Sequence, residues 1–248
     1  MRKPMMAGNW KMYKTPTETK AFFEKFVPLV ASSSHCEIAI CPAFVNLETA
    51  MTATNGTNVG IGAQNLYWAK EGAFTGEISG TMIKSTGAAY VIVGHSERRQ
   101  FFGETDATVL KRTIAALEAA LTPIVCVGEL LAERESGSTA AVLSRQFQDG
   151  IAGLSDEQFS KIIIAYEPVW AIGTGKVATP EMAADAHRMI RAEIQSKFGA
   201  AAQSTRILYG GSVKPDNIKG LMAQPEIDGG LVGGASLDPV SFASLVNF

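Results

Sequence analysis

The 248-residue chain repeats one theme eight times: a short apolar run, a polar or glycine-bearing stretch, then apolar residues at helical spacing. The runs are Met5–Asn9, Glu37–Cys41, Val59–Gln64, Tyr90–Gly94, Thr122–Val127, Ile162–Tyr166, Arg206–Tyr209 and Gly230–Val232. Several are apolar throughout, so a strand there needs both faces covered. Helical crossovers supply that cover and also make neighbouring strands parallel. The expected helices are Pro16–Val30, Asn46–Ala53, Ser79–Thr86, Asp106–Ala120, Ser138–Ile151, Pro180–Phe198, a short one near Asn217–Met222, and Pro239–Val246. Phe22, Phe26 and Val30 share one face of the first, and Thr179 with Pro180 reads as an N-cap and first helical residue. Eight such units in this length favour a closed α/β barrel, (β/α)8, in a single domain over residues 1–248. The rival is an open doubly wound sheet. No Pro/Gly/Ser-rich linker or shift of composition marks a second domain.

The sixth run ends in the feature that draws chemistry to it. Ile162-Ile163-Ile164-Ala165-Tyr166 stops at a carboxylate, Glu167, and then at Pro168, which has no N–H to continue a ladder. The loop beyond carries Val169, Trp170 and Ile172, then Gly173-Thr174-Gly175-Lys176. A passive surface loop would be polar; this one is built to cover something, with Glu167 beneath it. Its glycines invite two nucleotide readings, and both fail. Trp170 stands where a P-loop needs its first glycine, and Val177 where Ser or Thr must follow the lysine. Gly173-x-Gly175-x-x-Ala178 fits a dinucleotide fingerprint loosely, but six residues separate it from the strand end, so the tight strand-to-helix turn is absent.

In a barrel of this kind the site lies at the C-terminal ends of the strands. There the chain places Asn9 and Lys11 after the first strand, His95 and Glu97 after the fourth, and Glu167 after the sixth. Gly210-Gly211-Ser212 follow the seventh, and Gly233-Gly234 the eighth. Taken singly, each has an ordinary structural reading: a solvated lysine, a hydrogen-bonded histidine, a glutamate capping a turn or paired with an arginine, glycines at helix entries. What gives them weight is that they share one rim of one architecture. Late loops of such barrels build phosphate sites from backbone N–H groups and a helix N-terminus, and Ser212 adds a hydroxyl donor. No arginine cluster accompanies them, which fits an anion held by neutral donors. The long connection Asn65–Ser79 carries Leu66, Tyr67, Trp68 and Phe74 among glycines. An apolar loop of that length needs a surface, and it is expected to protrude as an arm into an identical partner instead of folding on its own barrel.

A net charge of −2 with no basic stripe makes nucleic acid and anionic membrane poor partners. No apolar run reaches membrane-spanning length, and the stretch after Arg2-Lys3 stops at Gly8-Asn9, too short for a signal-peptide core. Val246-Asn247-Phe248 is no retrieval tail. Cys36 and Cys41 lie on one strand and are expected on opposite faces, so a disulfide or a two-cysteine metal grip is not expected there. With Cys126 and only His35, His95 and His187 beside them, no metal motif is visible. A reducing cytoplasm is the simplest home.

Six blocks, in order, carry a family match: Gly8-Asn9-Trp10-Lys11-Met12, Gly72-Ala73-Phe74-Thr75-Gly76-Glu77, Gly94-His95-Ser96-Glu97-Arg98-Arg99, Ala165–Lys176, Tyr209-Gly210-Gly211-Ser212-Val213 and Leu231–Leu237. They resemble the triosephosphate isomerases, over essentially the whole chain. The resemblance implies a (β/α)8 TIM barrel that interconverts dihydroxyacetone phosphate and D-glyceraldehyde 3-phosphate in glycolysis and gluconeogenesis. It further implies a homodimer that uses no cofactor. It assigns Glu167 as base, His95 as electrophile and proton shuttle, and Lys11 and Asn9 as partners of the substrate oxygens. Glu97 corresponds to a buried partner of Lys11, and Thr75 to the tip of a loop reaching the neighbour's site. Gly173, Ser212, Gly233 and Gly234 are expected to grip the phosphate. The run Ser96-Glu97-Arg98-Arg99 can open a short helix whose N-terminal dipole favours a neutral His95.

Two residues depart from the family pattern: Tyr13, where Asn or His is more usual, and Ala120, where a helix-ending Gly is frequent. Neither touches a catalytic position, though Ala120 costs stability if the chain there is left-handed. Two rival functions stand against the resemblance. A barrel aldolase would use Lys11 as a Schiff-base nucleophile, but Asn9 and Glu97 nearby keep that lysine charged. A non-catalytic barrel scaffold gives no reason for Asn9, Lys11, His95, Glu97 and Glu167 to occur together.

Overall fold

The structure, a computed structural model, describes residues 2–172, 174 and 176–248. Eight parallel strands pair in sequence order: β1 (Met5–Asn9), β2 (Glu37–Cys41), β3 (Val59–Ala63), β4 (Tyr90–Val93), β5 (Thr122–Val127), β6 (Ile163–Tyr166), β7 (Ile207–Tyr209) and β8 (Gly229–Val232). The circle closes between β1 and β8, with Met5 opposite Gly229 and Gly8 opposite Val232. This excludes the open sheet. Around the strands run α1 (Pro16–Val30), α2 (Leu47–Thr54), α3 (Gly80–Ser85), α4 (Ser96–Phe101), α5 (Asp106–Glu118), α6 (Leu131–Glu135), α7 (Thr139–Gly150), α8 (Asp156–Phe159), α9 (Pro180–Phe198), α10 (Ile218–Met222) and α11 (Pro239–Val246). The expected strands are all present to within one residue of their bounds. At five and four residues, α6 and α8 are too short to show a period, and the sequence pattern does not predict them. Among the described residues no helix is long and apolar enough to cross a membrane.

Alternation along the strands sorts the apolar side chains into two shells. Met5, Ala7, Ile92, Ile124, Cys126, Ile163, Ala165, Leu208 and Leu231 fill the barrel interior. Met6, Ile40, Ile61, Val93, Ile164 and Tyr166 face outward against the helices. Cys41 belongs to the inner shell and Cys36 to the outer, on opposite sides as expected, and all three cysteines are buried and free. A chain of rings binds the first helix to the last: Trp10 to Phe22 at 4.8 Å, Phe22 to Phe26 at 5.2 Å, Phe26 to Phe242 at 5.3 Å. Each such pair adds about 0.5–1.5 kcal/mol beyond the area it buries. Barrel closure is therefore reinforced outside the sheet.

The arm from Asn65 to Ser79 departs from its expectation at its base. The Tyr67 N–H donates to Ile78 O at 2.8 Å, closing the neck. Trp68 stacks on Tyr67 at 4.1 Å and carries the Arg112 guanidinium over its ring at 4.8 Å. With Leu66 fully buried in the core, three of the four apolar residues are thus held against the chain's own barrel. Phe74, 43% exposed, and Thr75 beside it are the part that protrudes.

After α5, Leu121 N–H donates to Ala116 O at 2.9 Å and Ala120 N–H to Leu117 O at 3.0 Å, the paired bonds of a Schellman ending. That geometry sets Ala120 at φ 55, where a Cβ costs roughly 1–2 kcal/mol. Ala120 is exposed, so its methyl contributes no packing. Ala120→Gly is expected to stabilise the fold by about 0.5–1 kcal/mol once glycine's larger unfolded-state entropy is subtracted. The denaturation midpoint should rise at unchanged slope; a lower midpoint contradicts this account of the ending.

Candidate active site

Following each inward-facing series to the end of its strand or one step past it gives the inner rim. Met5 and Ala7 lead to Asn9, Ile163 and Ala165 to Glu167, Leu208 to Gly210, and Leu231 to Gly233. On β4 the inward residue Ile92 leads to Gly94, not to His95. Gly94 lies at φ 70, which glycine adopts without steric cost, and this turn brings His95 round to the interior. The result is a cavity of about 260 Å³. It is lined by Asn9, Lys11, His95, Glu167, Ala171, Ile172, Gly210, Gly211, Ser212, Val213, Lys214, Leu231, Gly233, Gly234 and Ala235. Of the site residues expected from sequence, Gly173 lies outside the described residues, while Glu97 and Thr75 do not line this cavity.

Glu167 is almost wholly buried, and both carboxylate oxygens are engaged. Oε1 lies 2.9 Å from His95 Nε2, and Oε2 accepts the Ser96 backbone N–H at 2.8 Å. Its own N–H donates to Val127 O at 2.7 Å. The end of β5 passes so close that a Cβ at Gly128 would meet the Glu167 carbonyl oxygen at 1.7 Å, so only glycine fits there. Burial alone would raise the pKa of Glu167. The His95 ring, the Ser96 N–H and the Lys11 charge outweigh burial and hold the carboxyl below the ordinary carboxylate range. Held this way the carboxylate is a weak base; release from these donors would strengthen it.

His95 caps α4, and its Nδ1 accepts the Glu97 N–H at 3.2 Å. An imidazolium has no lone pair for that bond, so the helix end favours a neutral ring with its hydrogen on Nε2. Burial works in the same direction. The Glu167 carboxylate at Nε2, followed by Glu97, works against both and brings the His95 pKa above its ordinary value. The helix end alone therefore does not fix a neutral His95. With Glu167 docked the ring is more basic, and the main raising influence is Glu167 itself.

Lys11 stands at φ 52, a left-handed conformation that residues with side chains avoid. Its N–H donates to Asn9 Oδ1 at 3.0 Å, which leaves the Asn9 amide N–H groups for the cavity. Between them Trp10 is the anchor, fully buried, with Nε1 donating to Ser236 O at 3.0 Å. The Lys11 ammonium pairs with Glu97. The Glu97 side chain is 38% exposed, so the expected buried partner is only partly buried in the single chain. It is open because it borders a second cavity, about 220 Å³, shared with Met12, Arg98 and Phe102.

After β8, Gly233 leads into a turn of 3-10 helix at Gly234–Leu237. The first amides of such a turn have no partner within it, and they border the cavity beside Ser212. Lys214 joins them, a cation that a reading based on neutral donors alone misses. The cover begins with a 3-10 turn at Val169–Ala171. Trp170 Nε1 and Tyr166 OH donate to the same oxygen of Glu129, at 2.9 and 3.0 Å, and Val169 N–H donates to Glu129 O at 3.1 Å. Glu129 is wholly buried and ties the cover to the end of β5. Sequence reasoning missed it, although the rule of looking past each strand end reaches it two residues beyond Val127. The Ser96 amide was also missed, because a backbone donor leaves no mark in a sequence.

Residues 4–248 match the family model described as triosephosphate isomerase. A protein of Solibacter usitatus with that name is 72% identical, with 100% of each chain covered. Another, of Citrifermentans bemidjiense, is 55% identical over 100% of this chain and 99% of the relative. The crystal structure of triosephosphate isomerase from Bartonella henselae is 38% identical and superposes with a TM-score of 0.90, covering 99% of this chain and 98% of that one.

Proposed function

The chain belongs to the triosephosphate isomerase family, and from that membership we propose how its residues divide the work. The protein interconverts dihydroxyacetone phosphate and D-glyceraldehyde 3-phosphate, a step of glycolysis. The reaction removes a proton from the carbon beside a carbonyl and returns it one carbon over. One carboxylate near both carbons serves both directions, and Glu167 is that base. The intermediate is an enediolate, whose oxyanion needs donors placed in advance. Lys11 supplies charge, while Asn9 and His95 supply hydrogen bonds. With its hydrogen on Nε2, His95 donates to the substrate oxygen and exchanges that proton between the two oxygens.

The observation that carries this reading is the juxtaposition inside one cavity of a buried carboxylate, an imidazole at a helix end, a lysine and a row of late-loop amides. Substrate binding must draw Glu167 off the Ser96 N–H and His95; leaving those donors inside a water-poor site raises its basicity when a carbon acid is presented. The phosphate is held by the Gly233 and Gly234 amides, by Ser212, and by Gly173 of the cover. Closing that cover keeps the enediolate from expelling phosphate into water. Titration with 2-phosphoglycolate, which carries a carboxylate and a phosphate, tests the cradle. Ser212→Ala should weaken binding roughly tenfold, the worth of one hydrogen bond to a charged group. Unchanged affinity would remove Ser212 from the phosphate site.

Assembly as a homodimer in the cytoplasm is part of the same proposal. It is supported by the exposed apolar side chains Met12, Tyr13, Phe74, Phe101 and Phe102, and by the cavity beside Glu97 that could take the partner's Thr75. Sedimentation of a monomer at every concentration would count against it.

A further inference from the structure

Resting on the role just given to Lys11, we propose that Gln64 is a positioning residue for the isomerisation. It clamps the Lys11 backbone in the left-handed conformation from which the ammonium reaches the substrate. The strain is local and explicit: Lys11 sits at φ 52, and such a conformation persists only where the surroundings over-determine it. The Lys11 N–H is held by Asn9 Oδ1. Its carbonyl is held by Gln64 Nε2 at 2.8 Å, and the second hydrogen of the same amide goes to Cys41 O, also at 2.8 Å. Cys41 O in turn accepts the Trp10 N–H at 3.1 Å. One primary amide therefore ties the loop after β1 to the last residue of β2, from a position just past β3.

The location follows from the strand pattern. Val59, Ile61 and Ala63 face the helices, so Gly60, Gly62 and Gln64 form the inward series of β3. Gln64 continues that series one residue past the strand end, as Glu167 does on β6. It does not line the cavity assigned to the substrate, but it lines the flanking one with Asn9, Lys11, His95, Glu97 and Arg98. Only a primary amide presents two hydrogens on one nitrogen at this length. Glutamate is the same size but, ionised, has no hydrogen to give, and methionine has neither hydrogen nor charge. In either variant the Lys11 carbonyl loses its partner and the lysine loses its reason to stay left-handed.

A double-mutant cycle in kcat/KM tests the clamp, using Gln64→Met, Lys11→Met and both together, each corrected for folded fraction by circular dichroism. Gln64→Met should lower kcat/KM about tenfold, with KM raised and kcat lowered, and should have less than a twofold further effect when Lys11 is already Met. A merely structural role would instead act equally in both backgrounds, and that result overturns the proposal, as does kcat/KM within about twofold of the parent. If Gln64→Met does not fold, Gln64→Glu gives the same comparison. Full activity of Lys11→Met would sink the underlying role of Lys11 itself, which separates the two failures.

Discussion

Glu167→Asp should lower kcat by about 10²–10³ while leaving KM within about threefold. The substitution keeps the acid and removes one methylene, withdrawing the carboxylate by roughly 1.5 Å. Proton transfer from carbon needs near-contact geometry, and a misplacement of about 1 Å is enough to cost a hundredfold. In the proposed reading the substrate is held elsewhere, by the phosphate cradle of Ser212, Gly233 and Gly234 and by Lys11, so binding should survive. The site gives aspartate no easy remedy. Glu167 is fixed at the end of β6 by its N–H to Val127 O, and the backbone at Gly128 presses against its carbonyl oxygen. A large rise in KM at unchanged kcat would mean that Glu167 binds substrate and does not take its proton.

Lys11→Met should lower kcat/KM by about 10³, with kcat falling and KM rising together. In the proposed reading the ammonium, which borders the cavity, meets the negative charge of both the substrate oxygens and the phosphate, so it should favour the bound ground state and the enediolate alike. Methionine keeps the length and removes the charge. Glu97, in the flanking cavity, then loses its cation, and its uncompensated charge adds repulsion toward an anionic substrate nearby. Lys11→Arg keeps the charge but carries it on a planar fork, and should recover only part of the loss. A kcat/KM within tenfold of the parent in Lys11→Met would remove the lysine from the reaction.

The helix-covered parallel sheet was legible because several of its strands are apolar on both sides and recur with helical spacers; its closure into a barrel rested on the count of eight such units in this length. Strand ends blurred by one residue where the next residue has other work: Ile162 gives its N–H to Phe159 O in the turn after α8, and Gln64 turns its side chain to Lys11 and Cys41. Asn9, Lys11, His95 and Glu167 could be picked out as residues at or just past strand ends. Gln64 and Glu129 also follow strands and were passed over, since neither has a chemistry that draws notice. Their work is to hold a backbone and a cover in place, which only the folded chain reveals. The arm was half legible: its apolar content showed that it needs a surface, but not that Arg112 would seat Trp68 on the home barrel. His95 shows a different limit. Its helix end could be read from the sequence, but the carboxylate docked on Nε2 depends on two loops meeting across the barrel.

The central claim is that Glu167 carries a proton between two carbons of one substrate. Incubation of the protein with dihydroxyacetone phosphate in deuterated water, followed by NMR of the carbon-bound hydrogens, tests it most directly. Deuterium should enter C1 of the remaining substrate and C2 of the D-glyceraldehyde 3-phosphate formed, and Glu167→Asp should slow both incorporations together. A folded protein that leaves every carbon-bound hydrogen unexchanged, or that exchanges them equally fast without Glu167, would contradict the account.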